Sequence, residues 1–232
     1  MISPRYFALI PAAGVGARMN AGYPKQYLPL AGKPMLAHVL ETFVASASID
    51  HTYVVVSAED AYIADLLSGV PHLLDRISIL YNGGATRHQS VLNGLCAMSE
   101  SVDESDWILV HDAARPGLTE MLIERLIAEL RDDPVGGLLA LPVVDTLKRA
   151  DPSRHVLATV PREALWGAQT PQMFRYSLLH KALEQASEVT DEASAIEALG
   201  LHPRLVEGSP RNLKVTLPHD IALAELYLKG IA

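Results

Sequence analysis

The sequence predicts an α/β fold: a doubly wound, mostly parallel sheet with helices on both faces and a projecting β-hairpin arm. Three observations carry that prediction. Segments such as "YFALIP" and "WILV" are apolar throughout, the pattern of strands covered on both faces rather than of half-exposed ones. Each is followed by a segment with helical periodicity, and repeated strand–helix units build parallel sheets. The 232 residues, 49% of them hydrophobic, suffice for one large core but not for two full domains. Residues 1–232 are therefore expected to form a single domain, with residues 143–163 as the arm.

The elements follow in order. After the strand "YFALIP", Pro34 opens a helix that places Met35, Leu36, Val39, Leu40, Phe43, Val44 and Ala47 on one stripe. "HTYVVVSA" reads as a strand and "EDAYIADLL" as a helix. "ISILYNGG" is a third strand, and Thr86 with Gln89 suits a capping box for the helix "RHQSVLNGLCAM". "WILVHDAARP" is a fourth strand and its loop; in "TEMLIERLIAEL", Leu122, Ile123, Leu126, Ile127 and Leu130 share one helical face. After Gly137 the rhythm changes to alternating, β-branched segments around the polar turn "ADPSRH", the pattern of a hairpin. A lone hairpin is barely stable, so a second subunit is the economical support for it. "RYSLLHKALEQA" returns to a helix, Thr190 suits the N-cap of "TDEASAIEAL", "PRLVEG" and "NLKVTL" read as short strands, and Pro218 opens a last helix.

A net charge of −8 argues against non-specific nucleic-acid binding, which needs a continuous basic face. The single cysteine, Cys96, cannot form an intrachain disulfide and is expected to be a buried small side chain in a reducing compartment. The N-terminus lacks a signal-peptide arrangement, and no apolar run approaches the roughly 20 residues that span a bilayer. A cytoplasmic protein without membrane contact is the expectation.

Ligands of doubly wound sheets bind outside the carboxyl ends of the strands, where "AAGVG", "NGGATR" and "HDAARP" all fall. In the first loop, Gly14-Val15-Gly16 is followed by Arg18 and then Lys25, and the spacing matches neither the dinucleotide fingerprint nor the P-loop. Arg18 and Lys25 suit a polyphosphate, one as a directional fork and the other as a point charge; read alone, they suit solvated loop cations equally well. Asp112, at the end of a strand, suits a Mg2+ ligand or a clasp with Arg115. His111 lacks the companions of a zinc site.

The stretches "PAAGVGARM", "PKQYLPL", "HDAARP", "DTLKRA", "TPQMF", "TDEAS" and "LVEGSPRNLKVTLPHD" together resemble the 2-C-methyl-D-erythritol 4-phosphate cytidylyltransferase family, from residue 9 to residue 220. The resemblance implies a nucleotide-diphospho-sugar transferase-like fold and cytidylyl transfer from CTP to methylerythritol phosphate, with Mg2+ as cofactor. It also implies a homodimer whose arm completes the partner's site. Ala12, Ala13, Gly14 and Gly16 would lie against the nucleotide, and Gly83, Gly84, Ala85 and Ser90 against its base and ribose. Arg18 and Lys25 would stabilise the transition state. Arg162 and Lys214 would hold the acceptor phosphate, with Thr146, Arg149 and Thr170 beside it and Asp112 at the metal. Arg115 and Asp191 would support the site, and Arg87 receives no role. Transfer to another polyol phosphate such as ribitol 5-phosphate stays open, as do uridylyl or guanylyl transfer and a non-catalytic nucleotide-binding protein.

Overall fold

Four consecutive residues of β1 (Tyr6–Pro11), Phe7 to Ile10, are buried, so both faces of this strand must be covered. The computed structural model describes residues 3–14, 23–186 and 189–230. Beyond β1 lie the short strands β2 (Pro29–Leu30) and β3 (Lys33–Pro34), which pair with each other, then α1 (Met35–Ala45) and β4 (His51–Val55). The chain continues through α2 (Ile63–Ser68), β5 (Ile77–Leu80), α3 (Arg87–Met98), β6 (Trp107–Val110) and α4 (Glu120–Leu130). Next come β7 (Gly136–Pro142), β8 (Leu147–Ala150), β9 (Val156–Val160) and β10 (Trp166–Arg175). The last elements are α5 (Tyr176–Gln185), α6 (Glu192–Ala198), β11 (Arg204–Glu207) and α7 (Pro218–Lys229).

The main sheet has the order β11-β7-β10-β6-β1-β4-β5. All neighbours are parallel except β10, which runs antiparallel to both β6 and β7. The alternation of side chains along β1 divides the core. Ala8 and Ile10 face a layer built on the buried stripes of α1 and α4, and Phe7 and Leu9 face one built on α3, α5 and α6. Cutting a fully buried member such as Leu126 back to alanine should cost about 2–5 kcal/mol. This is the doubly wound arrangement expected from the sequence.

Several local expectations are corrected. Thr86 caps α3 by accepting from Gln89 N, but the Gln89 side chain donates to Asn93 Oδ1 at 2.8 Å, so only half of the capping box forms. The N-cap of α6 is Asp191, not Thr190, in a reciprocal box with Ser194. "NLKVTL" is not a strand: Pro210–Asn212 form a 3-10 turn, and Val215 N donates to Ala114 O instead of to a sheet ladder. Only Ile63–Ser68 of the second helical segment winds, and Ala47 lies exposed past the end of α1. Cys96 is exposed, because the buried stripe of α3 runs through Val91, Gly94, Leu95 and Met98 and leaves position 96 off it.

The arm is present. β8 and β9 pair antiparallel, as a sheet of their own, around a turn in which Asp151 Oδ1 accepts from His155 N at 2.9 Å. Val144, Val156, Leu157, Leu165 and Trp166, on the arm and at its base, are all exposed. No described helix is long and apolar enough to cross a membrane.

Candidate active site

The site grows from strand ends. β1 runs out into Ala12-Ala13-Gly14, anchored where Ala12 N donates to Val55 O at 2.7 Å. Pro24 starts a single 3-10 turn, Lys25–Tyr27, and the buried Gln26 donates through Nε2 to Ala12 O at 2.5 Å, fastening the lysine turn to the end of β1. Residues 83–86 lead from β5 into α3, and residues 111–115 follow β6. These loops enclose a cavity of about 460 Å³. Lys25, Gln26, Arg87, Asp112, Lys214 and Thr216 line it, and Lys25 Nζ donates to Val215 O at 3.2 Å, beside Lys214.

Two glycines have different work. Among the described residues a Cβ at Gly14 would meet no atom within 4 Å although the residue lines the cavity, so its missing side chain leaves room for a ligand. A Cβ at Gly83 would fall 2.3 Å from Ala13 Cβ and 2.8 Å from Val56 O, so Gly83 lets its loop close against the first one.

Asp112 is the electrostatic centre. Its carboxylate meets Arg87 Nε at 2.9 Å through Oδ1 and Lys214 Nζ at 2.7 Å through Oδ2, with Arg115 Nε at 3.6 Å. Burial opposes ionisation of this acid, yet Arg87, Lys214 and Arg115 overcome that and hold its carboxyl well below the usual range. Arg87 also forks onto Glu192, with 2.6 and 3.0 Å contacts, and Glu192 is only 1% exposed. Burial works against the Arg87 charge too, and the two acids outweigh it and raise its pKa.

A neutral relay holds Asp112 from behind. His111 Nε2 lies 3.1 Å from Arg115 O, which can only accept, so this nitrogen carries the proton. His111 Nδ1 therefore accepts from the Thr170 hydroxyl at 3.0 Å, and Thr170 Oγ1 accepts from Asp112 N at 3.0 Å. Burial pushes the His111 imidazole down to about 4, so it is neutral at physiological pH.

The structure brings Lys25, Lys214, Asp112, Ala12, Ala13, Gly14, Gly84, Ala85 and Ser90 to one cavity; Gly83 sits behind it. Arg18 and Gly16 lie outside the described residues. The Ser90 hydroxyl is engaged within its own loop, accepting from Gly84 N and donating to Thr86 O. Thr170, expected beside the acceptor, is 4% exposed and hydrogen-bonds Asp112 N and His111 Nδ1. Thr146, Arg149 and Arg162 are exposed on the arm and do not line the cavity of their own chain; Arg162 donates to Val144 O. Arg115 ties its loop to Asn212 O and Ala168 O, and Asp191 caps α6 while accepting from Gln172 Nε2. Glu192, Gln26 and the hub role of Arg87 are not legible in the sequence. Glu192 showed only as an acidic residue in a helix's first turn, and nothing local marks it as buried.

Asp112, expected at the metal, is held by cations in this structure. It is the only carboxylate among the described residues lining the cavity, and both its oxygens are engaged by cations. Among the described residues no cluster of three or more His, Cys, Asp or Glu could hold a metal ion. The side chains present do not fit a protein-held Mg2+.

A doubly wound sheet whose strand ends present a glycine turn and converging cations is the arrangement of a nucleotide- or phosphate-handling protein. The model of one family, 2-C-methyl-D-erythritol 4-phosphate cytidylyltransferase (IspD), matches residues 6–230, and the chain belongs to that family. A relative of that name from Azoarcus sp. (strain BH72) is 57% identical over 229 residues, covering 98% of this chain and 95% of the relative. One from Aromatoleum aromaticum is 57% identical over 225 residues, 97% of this chain and 96% of the relative. A crystal structure of 4-diphosphocytidyl-2C-methyl-D-erythritol synthase superposes with a TM-score of 0.86 at 43% identity, covering 98% of this chain and all (100%) of that one. The Francisella tularensis 2-C-methyl-D-erythritol 4-phosphate cytidylyltransferase superposes with a TM-score of 0.80 at 33% identity, covering 96% of this chain and 99% of that one.

Proposed function

We infer that the chain transfers the cytidylyl group of CTP to 2-C-methyl-D-erythritol 4-phosphate, giving 4-diphosphocytidyl-2-C-methyl-D-erythritol and pyrophosphate. The observation that carries this reading is the family match over residues 6–230, joined to a cavity into which Lys25 and Lys214 converge.

The acceptor phosphate is already an oxyanion at neutral pH, so no general base and no covalent nucleophile is needed. One of its oxygens attacks the α-phosphorus of CTP, a new P–O bond forms, and the bond to the departing pyrophosphate breaks. Positioning and charge neutralisation supply the rate. We assign Lys25, with Arg18, to the charge that grows on the α-phosphate and the pyrophosphate. Ala12, Ala13 and Gly14 offer backbone and room to the triphosphate; Gly84 and Ala85 flank the base. Lys214 is assigned to the acceptor phosphate, together with Arg162 of the partner subunit. Thr146 and Arg149 of the arm are assigned beside it. Because Asp112 is engaged by Arg87 and Lys214, we assign the divalent cation, Mg2+, to substrate phosphates, and no protein group is given to it.

The exposed Val144, Val156, Leu157, Leu165 and Trp166 support a homodimer in which the arm packs on a second copy. The single Cys96 is in keeping with a reducing cytoplasm.

The test is steady-state pyrophosphate release with Mg2+, crossing CTP, UTP, ATP and GTP with methylerythritol phosphate and ribitol 5-phosphate. Turnover confined to CTP with methylerythritol phosphate supports the reading. Preference for ribitol 5-phosphate overturns the acceptor, and CTP binding without turnover in any pair overturns the activity.

A further inference from the structure

We propose that Arg87 and Glu192 are positioning residues that set Lys214 for the acceptor phosphate by orienting Asp112 between them. The inference rests on the assignment of Lys214 to that phosphate.

The four side chains form one line of alternating charge, Glu192, Arg87, Asp112 and Lys214. Its far end is anchored. Asp191 caps α6 in front of Glu192, Gln172 Nε2 donates to Asp191 Oδ2 at 2.9 Å, and Gln172 Oε1 accepts from Ala193 N at 2.7 Å. Glu192 is thus fixed to β10 at a helix start, where backbone N–H dipoles favour an acid. Arg87 spends both terminal nitrogens on Glu192, which leaves Nε for Asp112 Oδ1. With Oδ1 held, Oδ2 is turned toward Lys214.

Glu192 does not line the cavity, so it meets the substrate through no contact of its own. Without its charge, Arg87 has Asp112 as its sole anionic partner among the described residues. The guanidinium then draws the carboxylate away from Lys214, and the ammonium loses its fixed place. A lysine has several rotatable bonds, and its unpaired head would be spread over the cavity mouth rather than set against one phosphate.

The experiment measures pyrophosphate release while varying acceptor and CTP separately, for the wild-type chain, Glu192→Gln, Lys214→Ala and the double variant, at high enzyme concentration for the slow ones. Glu192→Gln is expected to raise the acceptor KM about tenfold and to leave the CTP Kd by calorimetry within about twofold. In the Lys214→Ala background the same change should move the acceptor KM by less than about twofold, because the two effects share one path. A merely structural salt bridge would lower Tm and leave this KM split and this non-additivity absent. An acceptor KM unchanged in Glu192→Gln, or raised equally in both backgrounds, overturns the proposal. Should Glu192→Gln not fold, Arg87→Lys, which keeps the charge but cannot fork to both acids, is read by the same criteria. Wild-type chain inactive with CTP and methylerythritol phosphate would instead sink the functional assignment, and this inference with it.

Discussion

Lys214 Nζ stands 2.7 Å from Asp112 Oδ2, and these two residues come from loops about a hundred positions apart in the chain. The acid is 7% exposed, so its charge is balanced by Lys214 and Arg87 rather than by solvent. Asp112→Asn should therefore damage more than one contact: its amide can accept from one cation but presents a donor to the other. We expect kcat/KM for the acceptor to fall about a hundredfold, with a lower Tm, measured by pyrophosphate release and thermal unfolding. Retention of wild-type kcat/KM would contradict the placement of Asp112.

Lys25 and Lys214 line one cavity, but from different loops, and their variants should separate. Lys25→Ala is expected to lower kcat by about 10²–10³ with a much smaller change in CTP affinity, because charge on the departing group develops in the transition state. Equal loss in CTP affinity and in kcat/KM would instead make Lys25 a ground-state binder.

If the arm completes a partner's site, defects in core and arm should complement each other. Lys25→Ala and Arg162→Ala homodimers, each nearly inactive, are mixed under conditions that exchange subunits. Half the dimers become mixed, and each of those holds one intact site of two, so activity should recover to about a quarter of wild type. No recovery after proven exchange would place Arg162 in the site of its own chain or outside any site.

Gly14→Ala and Gly83→Ala should have opposite profiles. A Cβ at Gly14 meets no described atom in the cavity, so Tm should shift by less than about 1 °C while CTP binding weakens about tenfold or more. A Cβ at Gly83 collides with Ala13 and with the Val56 carbonyl, which should cost about 1–3 kcal/mol, or several degrees of Tm. Calorimetry and thermal unfolding of the pair decide it.

The pH dependence follows from His111. Burial holds its folded-state pKa at about 4, while the unfolded side chain takes a proton near pH 6.5. The unfolded state thus binds the extra proton between those values. The contribution is fully present above pH ~6.5 and is lost as pH falls toward 4, to a total of about 3 kcal/mol. Urea midpoints at pH 7, 5.5 and 4.5 should show a steeper fall for wild type than for His111→Gln. Parallel slopes would mean that another group controls acid stability.

The sequence by itself determined the layered architecture, the buried stripes of α1 and α4, the hairpin arm and the strand-end loops where a ligand would sit. Those features rest on periodicity, turn residues and strand order, which are local or repetitive. It also held enough matching stretches to point to the family. Only the tertiary structure decided what the charged side chains do. Asp112 became the centre of an ion cluster, because Arg87, Arg115 and Lys214 arrive from three separate segments. Thr170 became a support of Asp112, since β10 runs antiparallel beside β6 and brings its hydroxyl against His111. Glu192 gained its partner only when α6 and α3 met. A carboxylate's burial and the direction of its hydrogen bonds depend on residues distant in the chain, and no local pattern encodes them.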